Sequence, residues 1–227
     1  MLALADADGS ADFTARANNN LGIIYTLQAR MPEAVMSYQR AVLAYKSFGS
    51  MRGLAQSHQN LGITYRMLEM YDESDGHFDE ALRAARAGDN ADEVARAEQE
   101  RALLIYLRSR DAALARVTAK RAMGGFSTLS DPIGVSDSAR VLAMIELGEG
   151  DAASAQQHGE AALETARASG HLLLEAELLE VLAGVAHRRA DTVVATELES
   201  RAAELFGRLH ALAWGQRFRQ TVQRLTA

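Results

Sequence analysis

Asn20-Leu21-Gly22-Ile23-Ile24-Tyr25 and Asn60-Leu61-Gly62-Ile63-Thr64-Tyr65 are two versions of one phrase, set 40 residues apart. The likeness continues downstream. Twelve residues after each glycine stands a small residue, Ala34 or Ser74. Four further on comes an aromatic, Tyr38 or Phe78, and three beyond that Ala41 or Ala81. Self-similarity at a fixed period of this length is the mark of a repeat array, in which each unit packs on its neighbours.

The ladder extends with weaker identity to the end of the chain. Its first rung is Gly22, Gly62, Leu103, Ala143 and Ala183. The second is Ala34, Ser74, Ala115, Ala155 and Ala195, and the last is Ala41, Ala81, Ala122, Ala162 and Ala202. Asp111, Asp151 and Asp191 keep the same phase, each four residues before the second rung. A carboxylate there suits a helix start, where it accepts the unpaired amide protons of the first turn. Gly9, Gly49, Gly88 and Gly170 fall near the opposite break, where glycine supplies a left-handed helix end. Each unit therefore reads as helix A, turn, helix B, turn. Gly or Ala at the first rung lets helix A approach helix B of its own unit, and the alanines of helix B let the next hairpin approach. Tyr25, Tyr65 and Tyr106 are expected as core residues between the two helices.

Composition agrees with an all-α chain. The 227 residues are 48% hydrophobic and 24% charged, with only two prolines, Pro32 and Pro132. The formal net charge of −6 argues against nucleic acid as a partner, because an acidic surface repels phosphate. The absence of cysteine removes disulfides and thiolate chemistry and fits a cytoplasmic location. No run of 18 apolar residues is present, so no membrane association is expected. Met1 to Ser10 has neither the basic start nor the apolar core of a secretory signal.

Leu21-Gly22, Tyr25, Ala34, Tyr38 and Ala41 together resemble the tetratricopeptide signature, and the second unit matches nearly as well. The usual period is about 34 residues. The longer period here resembles the long-helix variants in kinesin light chain and Rap-type quorum-sensing regulators. The resemblance implies an all-α, right-handed α-solenoid of about five helical hairpins with a C-terminal capping helix. It places the hairpins near residues 11–49, 50–89, 90–130, 131–170 and 171–209, the cap at 210–226, and the whole of 1–227 in a single domain.

Three places depart from this pattern. Met123 to Ser136 contains three glycines and Pro132, and reads as a loop that ends helix B of the third unit early and tucks Phe126, Leu129, Ile133 and Val135 into the neighbouring seam; Asp131-Pro132 is suited to open a short turn or the next helix. Residues 2–7 read as the tail of a helix B capped at Gly9, which suggests that the chain was cut from a longer protein. His210 to Leu225 reads as a lone capping helix, with Leu212, Trp214, Phe218 and Val222 as its apolar stripe and Arg217, Arg219, Gln220 and Arg224 as its polar face.

No catalytic signature occurs: there is no His-Glu-x-x-His, no phosphate-binding Gly-Lys loop and no Gly-x-Ser-x-Gly. None of the six histidines has another at i+3 or i+4, and His58 reads as a packed helix-A side chain. The carboxylates Asp72, Glu73, Asp75, Asp79 and Glu80 lack the spacing and central glycine of a calcium loop, and read as a solvated helix start. No enzyme activity, metal or cofactor is expected.

What remains is a binding surface. The resemblance implies that Asn20 and Asn60, two residues before the first rung, hydrogen-bond the main chain of a peptide ligand. An amide side chain donates and accepts at once, so it can bracket a peptide unit independent of sequence. Helical phase adds Arg16, Asn19, Gln56, Gln59 and Arg66 in the first two units, and Arg101 and Arg140 further on. The expectation is a scaffold that binds a protein or peptide partner in a groove. The alternative is the sensor or regulatory region of a larger bacterial transcription regulator or signalling ATPase. An unsealed N-terminal edge would also favour a homodimer.

Overall fold

The computed structural model describes the backbone of residues 2–226 and the side chains of residues 11–226. Within them are eleven helices and no strand. They are α1 (Leu2–Leu27), α2 (Met31–Ser47), α3 (Met51–Met67), α4 (Tyr71–Ala87), α5 (Ala91–Ser109), α6 (Ala112–Thr128), α7 (Pro132–Gly148), α8 (Ala152–Ala168), α9 (Leu172–Arg188), α10 (Thr192–Arg208) and α11 (Leu212–Thr226). None of them is long and apolar enough to cross a membrane.

The turns explain the period. Ala29, Gly49, Glu69, Asp89, Arg110, Ser130, Gly150, Gly170, Ala190 and His210 all have positive φ. They stand twenty residues apart, except for one step of 21 from Asp89 to Arg110, which lies across α5, a helix of 19 residues where its neighbours have 17. In most turns the residue after the left-handed one donates its N–H back over the helix end. Arg30 N–H reaches Tyr25 O at 2.8 Å, and Asp131 N–H reaches Phe126 O at 2.9 Å. This is the Schellman closure, and it satisfies carbonyls that the helix leaves open. Glycine occupies only three of the ten positions, so glycine spacing alone underreports the turns. Gly88 has φ −100° and its neighbour Asp89 takes the left-handed conformation instead.

The helix starts follow the expected chemistry. Asp111, Asp151 and Asp191 accept from the N–H of Leu114, Ser154 and Val194. Asp131 takes two, from Ile133 and Gly134, with Pro132 in the first turn where no N–H is missed. Ser50 and His171 cap in the same way.

Every rung of the ladder is buried. At Gly22 an added Cβ would lie within 3.0 Å of the Tyr38 ring, and at Gly62 within 3.0 Å of the Phe78 ring. Ser74 replaces alanine at the second rung and donates its hydroxyl to Gly62 O at 2.8 Å. A second version of the device joins consecutive hairpins: Tyr45 lies on Gly53, Phe126 on Gly134 and Phe206 on Gly215.

The chain divides into two compact units, one ending at Glu100 and one beginning at Arg101. The first contains α1 to α4 and residues 91–100 of α5. Its core is built from Ala34, Tyr38 and Leu61, from Ala15, Ala41 and Tyr45, and from Ala81, Leu82 and Ala97. Tyr25 and Tyr65 are only half-buried there; the Arg30 guanidinium covers the Tyr25 ring and His77 stacks on Tyr65. The second unit has α7 and α9 at its centre. Residues 138–147 and 176–186 are buried all round, as expected of helices with neighbours on every side. Val141, Leu142, Ile145, Val181, Val185, Phe218 and Val222 form its core, and the fully buried Tyr106 packs over Gly148.

Three expectations are corrected. Residues 123–128 are not a loop. α6 runs through Gly124 and Gly125 to Thr128, a three-residue turn follows, and α7 starts at Pro132. The glycines are tolerated because the helix is held by Phe126, wholly buried against Gly134. Gly9 caps nothing, since α1 passes through it; the side chains of residues 2–10, and their expected packing, lie outside the described ones. On α11, Trp214, Phe218 and Val222 are buried as expected, but Leu212 is 54% exposed. Arg219 turns inward to a bidentate pair with Glu180, while Trp214 donates to Glu177 at 2.8 Å.

Gly62→Ala should destabilise the protein by about 1–3 kcal/mol through overpacking on Phe78. Gly124→Ala, where a Cβ meets nothing within 4 Å in a helix interior, should stabilise by roughly 0.5–1 kcal/mol. Thermal unfolding of the two variants beside the parent checks both signs.

Candidate functional site: the polar face of α1, α3 and the start of α5

In the first unit the A helices meet through polar side chains. Asn19 is buried, and its Oδ1 accepts from the Ser57 hydroxyl at 3.1 Å and from Asn60 Nδ2 at 3.2 Å. These bonds zip α1 to α3. One repeat further on, Gln56 Nε2 donates to Glu93 Oε1 at 2.6 Å, and Arg52 pairs with Asp92 and Glu93. Arg66 and Glu100, both buried, form an ion pair at 2.5 Å. These bonds tie α3 to residues 91–100 of α5.

Two shallow depressions lie along this face. One, of about 340 Å³, is lined by Asp12, Arg16, Asn19, Asn20, Arg52 and Gln56 among others. The second, of about 470 Å³, shares Asn19, Asn20, Arg52 and Gln56 with the first and adds Ile23, Gln59, Asn60, Asp92, Glu93 and Arg96. Asn20 is exposed, and Gln56, Gln59 and Asn60 are half-buried. Arg16 is exposed and paired with Asp12 one turn earlier. The walls therefore offer several amide groups, a balanced set of charges, and the partly exposed Ile23.

Six of the nine residues expected at the site line these depressions: Arg16, Asn19, Asn20, Gln56, Gln59 and Asn60. Asn19 and Asn60 also bond each other, so part of their capacity is spent inside the protein. Arg66 lies off the depressions in its pair with Glu100. Arg101 and Arg140 belong to the second unit. Arg140 is buried, bonded to Asp137 and Glu177, with its guanidinium over the Phe218 ring. That is a packing role, which helical phase could not distinguish from a groove-facing one. Arg52, Asp92, Glu93, Arg96, Asp12 and Ile23 were not anticipated. Arg52 and Asp92 stand one repeat apart, so carrying the period onto polar positions would have paired them.

Two members of the set keep a buried polar atom without a hydrogen-bond partner, Arg66 through Nε and Glu93 through Oε2. Glu93 is 2% exposed. Burial pushes its carboxyl above the usual range, and the bond from Gln56 offsets only part of that. No group of three or more His, Asp and Glu side chains among the described residues is arranged to hold a metal ion.

Residues 13–87 match the family described as tetratricopeptide repeat. The matched stretch is about a third of the chain. It covers α2, α3, α4 and all of α1 from Phe13, and so includes both glycine–aromatic contacts of the first two hairpins. Two solved structures extend the likeness over most of the chain. The crystal structure of BtubC (BKLC) from P. vanneervenii is 16% identical, with 92% of each chain covered and a TM-score of 0.55. The crystal structure of a Rap protein complexed with competence and sporulation factor is also 16% identical, with a TM-score of 0.65. That alignment covers 96% of this chain and 64% of the Rap chain. At such identity the likeness establishes a tetratricopeptide-type fold. No curated protein matches the sequence.

Because burial raises the pKa of Glu93, its ionised form is disfavoured in the fold, and its contribution to stability is complete below the ordinary carboxylate range and is lost as pH rises through the folded value. Glu93→Gln removes that loss. The variant should be more stable than the parent at pH 7.5 by roughly 0.5–1 kcal/mol, and the difference should shrink towards pH 4.5. Urea unfolding at the two pH values tests this.

Proposed function

We propose that the first unit binds an extended or helical segment of a partner protein along the polar face of α1, α3 and the start of α5, and that the chain acts as a protein-interaction scaffold. The observation that carries this reading is the convergence of Asn20, Gln56, Gln59 and Asn60 on two adjoining depressions. Amides at successive positions along a trough match the alternating donors and acceptors of a peptide main chain. The rim charges come in both signs, with Arg16, Arg52 and Arg96 beside Asp12 and Asp92. Such a rim favours main-chain recognition over selection by net charge.

The likeness to the Rap structure complexed with competence and sporulation factor supports a short peptide as one form of the partner. It also supports the second reading, a sensor or regulatory region of a larger bacterial protein, because this chain spans 64% of that one. The coding sequence upstream of Met1 decides between a free-standing scaffold and such a region.

The test uses a partner first identified by crosslinking in the native host. Asn20→Ala combined with Gln59→Ala should weaken its binding at least tenfold, with little change in melting temperature. Asn19→Ala should lower stability by about 1 kcal/mol or more, because it strands Ser57 and Asn60. Undiminished affinity in the Asn20/Gln59 variant would remove the groove from consideration.

A further inference from the structure

His58 on α3 and His77 on α4 lie 19 positions apart in sequence and face each other across the second hairpin. Their Nδ1 atoms are 3.1 Å apart, with ring centroids at 5.3 Å and an interplanar angle of 35°. His77 is fixed from its other side by Tyr65, stacked at 5.2 Å and 9°. Both histidines are only half-buried, so solvent and small ions reach them. Core packing alone asks for nothing of this kind, since an apolar pair would fill the same seam without leaving two nitrogen atoms to share one proton.

We propose that His58 and His77 form a two-histidine site for a borderline divalent cation of the zinc, nickel or copper type, bound through the two Nδ1 atoms. Metal–nitrogen bonds of about 2.0–2.1 Å span a 3.1 Å gap at an angle of about 100°, close to tetrahedral. Both rings must tilt out of their head-on arrangement for the two lone pairs to meet at that point. In the metal-free pair one Nδ1–H donates to the other Nδ1. On binding, that proton moves to Nε2 of the same ring through solvent, so both imidazoles remain neutral and no proton is released. Burial already holds both imidazoles below their usual range, His58 at about 4, which keeps them in the neutral form that ligates.

The surroundings fit an open, exchangeable site. Glu80 lies one turn beyond His77, and its charge acts on both rings; its Oε2 accepts from Arg83 at 2.6 Å. Only two protein ligands converge, so the remaining positions go to water. Imidazole pairs select zinc, copper and nickel over calcium and magnesium, which prefer oxygen. The site bridges the two helices of one hairpin, so a bound cation would clamp α3 to α4.

The experiment is a titration of the isotopically labelled full chain with zinc sulfate at pH 7.5, followed through the histidine ring nitrogens. The expected result is a shift of the Nδ1 signals of His58 and His77 with one-to-one stoichiometry, together with a rise in melting temperature of about 5 °C at hundredfold excess over Kd. Magnesium at the same concentration should leave both unchanged. In His58→Gln/His77→Gln the melting-temperature rise should vanish, whereas His158→Gln/His171→Gln should retain it. Zinc shifts confined to other histidines, or an equal thermal response in the His58/His77 variant, would overturn the proposal. The labelled parent decides the matter even if the variant does not fold.

Discussion

An aromatic ring lying on a residue without a side chain is the contact on which this structure depends. Tyr38 on Gly22 and Phe78 on Gly62 set how closely two helices of a hairpin approach; Tyr45 on Gly53 and Phe126 on Gly134 set the same distance between one hairpin and the next. A close-packed interior transmits any change in that distance. The alanine rungs need only be small, but a ring seated on backbone admits one separation and one register. Where the chain lacks the glycine, as at Ala143 and Ala183, the central helices of the second unit are instead buried on all sides. The first unit relies on rings seated on Gly22, Gly53 and Gly62; the second keeps such contacts at Gly134, Gly148 and Gly215 and adds wholly enclosed central helices.

The seams differ in polarity as well. Hairpins close through alanines and rings, whereas successive A helices of the first unit meet through Asn19, Ser57 and Asn60, and through Arg52, Gln56 and Glu93. A polar seam holds its helices only while each group keeps its partner. It also leaves amides along a face that an apolar seam would have closed. The same seam leaves Glu93 with a buried, unmatched oxygen. The unmatched oxygen lies on the face proposed for binding.

Helix content, hairpin order and the small-residue ladder were legible from residue spacing, because a Gly or Ala at fixed phase has one structural use that recurs in every unit. The aspartate caps were legible for the same reason, since a cap acts through its own first turn. The turns were only partly so. Left-handed closure at Ala29, Glu69 or Ala190 is enforced by hydrogen bonds over the helix end, and nothing in those residue types announces it. The stretch from Met123 to Thr128 misled because glycine weakens an isolated helix, and only Phe126 seated on Gly134 outweighs that weakness. Asn20, Gln56 and Gln59 could be assigned to a face by helical phase, but phase does not say what stands opposite. Arg66 and Arg140 have the same periodic credentials, and neighbouring helices bring them Glu100 and Glu177 as partners. The meeting of His58 with His77 likewise exists only once the hairpin closes. Local spacing specifies which helices form and in what order they pair; partners for buried charge and polar groups are supplied by residues a hairpin or a repeat away, and only the packed chain brings those within reach.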